Sequence, residues 1–133
     1  MERVECNAFR YDGGSTGHYE SYFQRANHPT EPRAFWIRYT VFVPKGRPRD
    51  AVGELWAIYF DGITKTITPV KSIVAIDQTR FDKHALDARI ASATLDATSL
   101  RGECSALGHS IGWDLRYTSP QAPLLLLPEP LYD

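Results

Sequence analysis

The chain has two cysteines, Cys6 and Cys104, and one methionine in 133 residues. Two cysteines outside any CxxC spacing make neither a disulfide framework nor a zinc site, so both are expected to stay reduced. Neither sign of charge is in excess. Fifteen Lys and Arg against sixteen Asp and Glu leave a net charge of -1, which gives no electrostatic footprint for nucleic acid or an anionic membrane. Long apolar runs are also missing: Leu124–Leu127 falls far short of the roughly 20 residues that cross a bilayer. The opening residues Met1–Glu5 are polar and hold no apolar signal core, so a soluble cytoplasmic chain is expected. There is no P-loop, dinucleotide fingerprint, nucleophile elbow or HExxH helix. The histidines, His18, His28, His84 and His109, stand singly, without metal-ligand spacing. No metal and no cofactor is expected.

Aromatic residues are what the chain has in quantity: three Trp, seven Tyr and six Phe, 12% of the sequence. They fall in segments with a period of two, the signature of strands rather than helices. His18–Asn27 alternates, and Ala34–Val43 is dense in β-branched and aromatic residues up to Pro44. Lys45–Val52 carries Gly, Pro and charge and reads as a loop. Gly53–Asp61 is a third strand, and Asp61-Gly62 signals a hairpin into Ile63–Ile76. Pro69 within that fourth strand marks an edge or a bulge. Asp82–Ala91 fits either a short helix or a loop entering a strand at Ala88–Ala91. Thr94–Leu95, Ser99–Ser105 and His109–Thr118 complete the strands, with Ala106-Leu107-Gly108 as the last turn. The proline-rich tail, Ser119–Asp133, reads as an extended segment packed on the body. Seven or eight short antiparallel strands in one domain, residues 1–133, point to an all-β barrel or sandwich, and aromatics on both strand faces favour the barrel.

The chemistry-bearing feature is charge set inside aromatic strands. Arg38 shares a face with Trp36 and Phe42, and Glu54 shares one with Trp56, Ile58 and Phe60. Glu20 lies on the face of His18 and Tyr22, while Asp114 and Arg116 oppose Ile111, Trp113, Leu115 and Tyr117. Turned into a barrel, the faces of Arg38 and Glu54 would make an apolar pocket with a few convergent polar groups. A carboxylate buried there, Glu20 or Glu54, is the candidate for proton transfer. The same residues also fit a plainer reading, in which cross-strand Arg–Glu pairs sit on a solvated sheet face and contribute about 0.2–1 kcal/mol each.

The runs NAFRYDGGSTGHYESYFQRANHPTEPRAFWIRYTVFVP, GELWAIYFD, IGWDLRY and PLLLLPE, spanning Asn7 to Glu129, resemble the amino-terminal half of the AttH-like family. This lipocalin-like group includes the hydroxyneurosporene synthase (carotenoid 1,2-hydratase) proteins. The resemblance implies an antiparallel lipocalin-like (calycin-type) β-barrel of about eight strands with at most one short helix. It also implies that a second barrel would follow Leu131-Tyr132-Asp133, or that a homodimer would replace it. Several family members hydrate or cyclise isoprenoid or polyketide-derived substrates without a redox cofactor. That activity is associated with the later part of the family's chain, so no catalytic residue carries over. What matches is the aromatic strand core, with Tyr22, Trp36, Arg38, Trp56 and Trp113 as expected ligand-binding residues. Two principal functions follow: a module binding a hydrophobic, isoprenoid- or lipid-like small molecule, or a cofactor-independent hydratase or cyclase using Glu20 or Glu54. An assembly domain with an exposed aromatic face is the third.

Overall fold

Alternation carries the first half of the chain into one meander. In the computed structural model, which describes residues 3–131, four long strands follow one another. They are β1 (His18–Asn27), β2 (Arg33–Val43), β3 (Val52–Asp61) and β4 (Thr66–Ala75), paired antiparallel in that order. Asp61 makes the expected β3–β4 turn by accepting hydrogen bonds from the backbone N–H groups of Ile63 (2.9 Å) and Thr64 (3.2 Å). β4 is an edge strand of this sheet, which is why Pro69 is tolerated within it.

A short 3-10 turn, Ile76–Gln78, then carries the chain to a second sheet. Its strands are β5 (Thr79–Phe81), β6 (Asp87–Ile90), β7 (Ala93–Asp96), β8 (Ser99–Ala106) and β9 (His109–Arg116), again antiparallel in sequence order. The ambiguous segment Asp82–Ala91 is resolved as a loop entering β6, with no helix there. β5 is an addition to the expected strands, since three residues are too few to show a period. The only α-helix among the described residues is α1 (Arg3–Cys6), a single turn. No helix of the described chain is long and apolar enough to cross a membrane. Met1, Glu2, Tyr132 and Asp133, the ends of the expected domain, lie outside the described residues.

The two sheets face each other over one main core. Ile37, Tyr39, Leu55, Ala57 and Val70 from the first sheet pack with Ala88, Ile90, Ala93, Leu95, Leu100, Cys104 and Trp113 from the second. Two devices fit the largest side chains. Gly102 stands directly opposite Trp113 in the β8–β9 ladder. A Cβ at Gly102 would lie 2.9 Å from the Trp113 ring and 2.6 Å from the Ala93 Cβ. The indole N–H of Trp113 donates to the Tyr39 hydroxyl (3.2 Å), which donates to the Thr94 carbonyl (2.9 Å). Cys104 is a buried free thiol, 3.2 Å from the Ser72 hydroxyl across the sheets.

The expected wrapping around a lumen takes a different form here. The strands form two separate ladders, with none joining β4 to β5 or β9 to β1 among the described residues. Large side chains fill the space between the sheets. Inward positions on β2 and β3 are Ile37, Tyr39, Val41, Leu55 and Ala57, so the alternating set containing Trp36, Arg38, Glu54 and Trp56 faces outward.

Candidate functional site

The outward set forms a patterned surface on the β1–β4 sheet. Register places Phe23, Arg38, Trp56 and Lys71 directly opposite one another on β1, β2, β3 and β4. Aromatic and cationic side chains thus alternate across the sheet. The Arg38 guanidinium lies 4.8 Å from the centre of the Trp56 ring and 5.1 Å from that of Trp36. The Lys71 ammonium lies 4.2 Å from the Trp56 ring centre. Phe23 meets Trp36 edge-on at 6.1 Å. Each cation–ring contact contributes about 0.5–1 kcal/mol at an exposed site and more where water is excluded.

The two cations are held differently. Lys71 donates to Glu54 Oε1 (3.0 Å), and the same carboxylate accepts from the Trp56 indole N–H through Oε2 (3.2 Å). Arg38 has no hydrogen-bond or ion-pair partner among the described residues, and its Nε is buried without one. The Trp36 indole nitrogen is likewise buried and unpaired.

Around the row large apolar side chains stand exposed among a few polar ones, Ser21 and Thr40 among them. Tyr19, Phe23, Phe42, Ile67 and Ile73 project from this same face at 42–64% exposure. Among the described residues the other exposed large apolar side chains are Ile63 and Leu107 in hairpin turns and four leucines of the tail. A cleft of about 630 Å³ opens at one end of the face, lined by Phe23, Arg25, Ala34, Phe35, Trp36 and Phe60 among others.

The remaining candidates are elsewhere. Tyr22 and Glu20 occupy the opposite face of β1, in a polar cluster at the sandwich margin. Glu20 accepts hydrogen bonds from the Tyr22 hydroxyl (2.8 Å) and the Arg10 backbone N–H (3.0 Å), and its carboxylate is 2.8 Å from His18 Nε2. Burial, reinforced by the Glu20 carboxylate, raises the pKa of the Tyr22 hydroxyl above the ordinary tyrosine value. Tyr22 also lines a second cleft of about 450 Å³ with Gln24, Leu86, Leu95 and Tyr117. Trp113 is in the core at 8% exposure. Asp114 forms a surface ion pair with Arg101, as the plainer reading of that strand expects.

Four expected residues, Trp36, Arg38, Glu54 and Trp56, are therefore brought together; Tyr22 and Glu20 meet elsewhere, and Trp113 lies in the core. Sequence reasoning misses Lys71. It is the one charge in the strand TITPVKSIVA, and its parity with Ile67, Pro69 and Ile73 is the available signal. Among the described residues no group of three or more His, Cys, Asp or Glu side chains is placed to hold a metal ion. Comparison with protein-family models, with curated proteins and with solved structures returned no match.

Proposed function

We propose that the chain binds a hydrophobic small molecule, laid against the outer face of the β1–β4 sheet. The observation that carries this reading is the concentration of exposed aromatic and aliphatic side chains on that face, around Trp36 and Trp56. Soluble domains rarely leave such a surface without an occupant. Apolar burial at about 25 cal/mol per Å² supplies the affinity, and the nearby cleft is of a size for small ligands, which need roughly 300–1,000 Å³. Within each of the two sheets the antiparallel strands follow sequence order, an up-and-down arrangement that supports the lipocalin-like, AttH-like reading of the sequence.

The enzymatic alternative, acid–base hydration or cyclisation of an isoprenoid-like substrate, has weaker support. The Glu54 carboxylate is tied to Lys71 and Trp56, and Glu20 is tied to Tyr22, His18 and the Arg10 backbone. Neither stands with a free oxygen facing an enclosed cavity.

The test is titration with the neutral probe N-phenyl-1-naphthylamine, read by probe fluorescence and tryptophan quenching. Saturable binding that Phe23→Ser or Trp56→Ala weakens at least about tenfold, in folded variants, supports the reading. Absence of binding overturns it, as does binding that both substitutions leave unchanged.

A further inference from the structure

Arg38 is the unexplained charge at the centre of this face. A guanidinium carries five N–H donors in a plane, and stacking over indole rings satisfies its charge without using those donors. Arg38 lies over two such rings, and no carboxylate, carbonyl or hydroxyl among the described residues accepts from it. Its neighbour Lys71, by contrast, has Glu54. In the adjacent position of β1, opposite Trp36, stands Arg25, also without a partner among the described residues and lining the cleft. Arg25, Arg38 and Lys71 against the single carboxylate of Glu54 leave this face cationic in a chain whose net charge is -1.

From this arrangement we infer that the ligand is an anionic amphiphile, with a carboxylate or phosphate oxyanion on the Arg38 guanidinium and its apolar body along Phe23, Trp36 and Phe60. The inference rests on the hydrophobic-ligand reading of the same face and adds the charge and its anchor. A planar guanidinium held by ring stacking is preorganised for two parallel N–H···O bonds to a carboxylate or phosphate, so little conformational freedom is lost on binding. A second copy of the chain is a poorer occupant, because pairing this face with itself brings its unpaired cations together.

The test compares decanoate with decan-1-ol, matched in chain length, by tryptophan fluorescence titration of the whole chain. The expected result is that decanoate binds at least about tenfold more tightly, and that raised salt weakens decanoate alone. Arg38→Gln removes the difference by reducing decanoate to the level of decanol, whereas Arg101→Gln, the same charge change on the other sheet, retains it. If Arg38→Gln does not fold, the salt dependence in the unaltered chain decides. Equal affinity for the two ligands overturns the oxyanion inference and leaves the hydrophobic reading standing; binding of neither overturns both. Binding to phosphatidylglycerol vesicles but not to free decanoate also overturns it, because the oxyanion would then belong to a bilayer surface.

Discussion

The Trp113 indole N–H donates to the Tyr39 hydroxyl at 3.2 Å, joining the two sheets through the middle of the core. Tyr39 has no solvent exposure, and its hydroxyl passes its own hydrogen to the Thr94 carbonyl. Every polar atom of this chain of contacts is therefore paired, as a buried network requires.

Tyr39→Phe breaks that network with little change of shape. The Trp113 N–H loses its acceptor and the Thr94 carbonyl its donor. A loss of about 1–3 kcal/mol in unfolding free energy is expected, read by urea denaturation with an unchanged m-value. A loss below about 0.3 kcal/mol would show that the network contributes nothing to stability.

Gly102 is required by space, since its Cβ would be closer to Ala93 and to the Trp113 ring than real contacts allow. Gly102→Ala should destabilise by about 1–3 kcal/mol through overpacking and shift the near-UV circular dichroism of Trp113. At Gly13 a Cβ would meet nothing within 4 Å, but the φ of +89° strains a side chain for a different reason. Gly13→Ala should therefore cost stability without altering the Trp113 signal.

Glu54 and Lys71 form a partly buried pair, with side-chain exposures of 15% and 32%. A double-mutant cycle with Glu54→Gln and Lys71→Met should give a coupling energy of about 1 kcal/mol. Glu54→Gln should also alter Trp56 emission, because the indole N–H then faces a neutral acceptor. Strict additivity would mean that the two residues are independent.

Burial raises the hydroxyl pKa values of Tyr22, Tyr39 and Tyr117 above the ordinary tyrosine value. The unfolded chain therefore releases these protons first, near the ordinary tyrosine pKa of about 10, so stability falls as pH rises beyond that point. Alkaline unfolding should coincide with a late tyrosinate absorbance step. Tyr22→Phe should make the decline less steep. An absorbance step completed before unfolding begins would contradict this account.

Much of the fold is legible because strand alternation is a local property. Alternation places His18–Asn27 to the residue, and Ala34–Val43 and Gly53–Asp61 each within one residue of the observed strand, while turn chemistry gives the hairpin after Asp61. β5 is not legible, being too short to carry a period. The shared faces of Trp36 with Arg38 and of Glu54 with Trp56 are legible for the same reason as the strands. Their being neighbours is not, because that depends on β2–β3 register, which no single strand encodes.

By itself the sequence determined which side chains travel together along each strand, because a period of two is fixed by backbone geometry. It also determined where strands stop, through Pro44, Asp61-Gly62 and Leu107-Gly108. Tertiary structure alone decided which set turned inward. Tyr39 and Trp113 fill the space between the sheets, so the Trp36–Arg38–Trp56–Lys71 ladder is left on the outside. The physical reason is that both faces of β2 and β3 are apolar enough to form a core. The choice falls to whichever face meets a complementary sheet, and that partner, β6 to β9, lies many residues further along the chain.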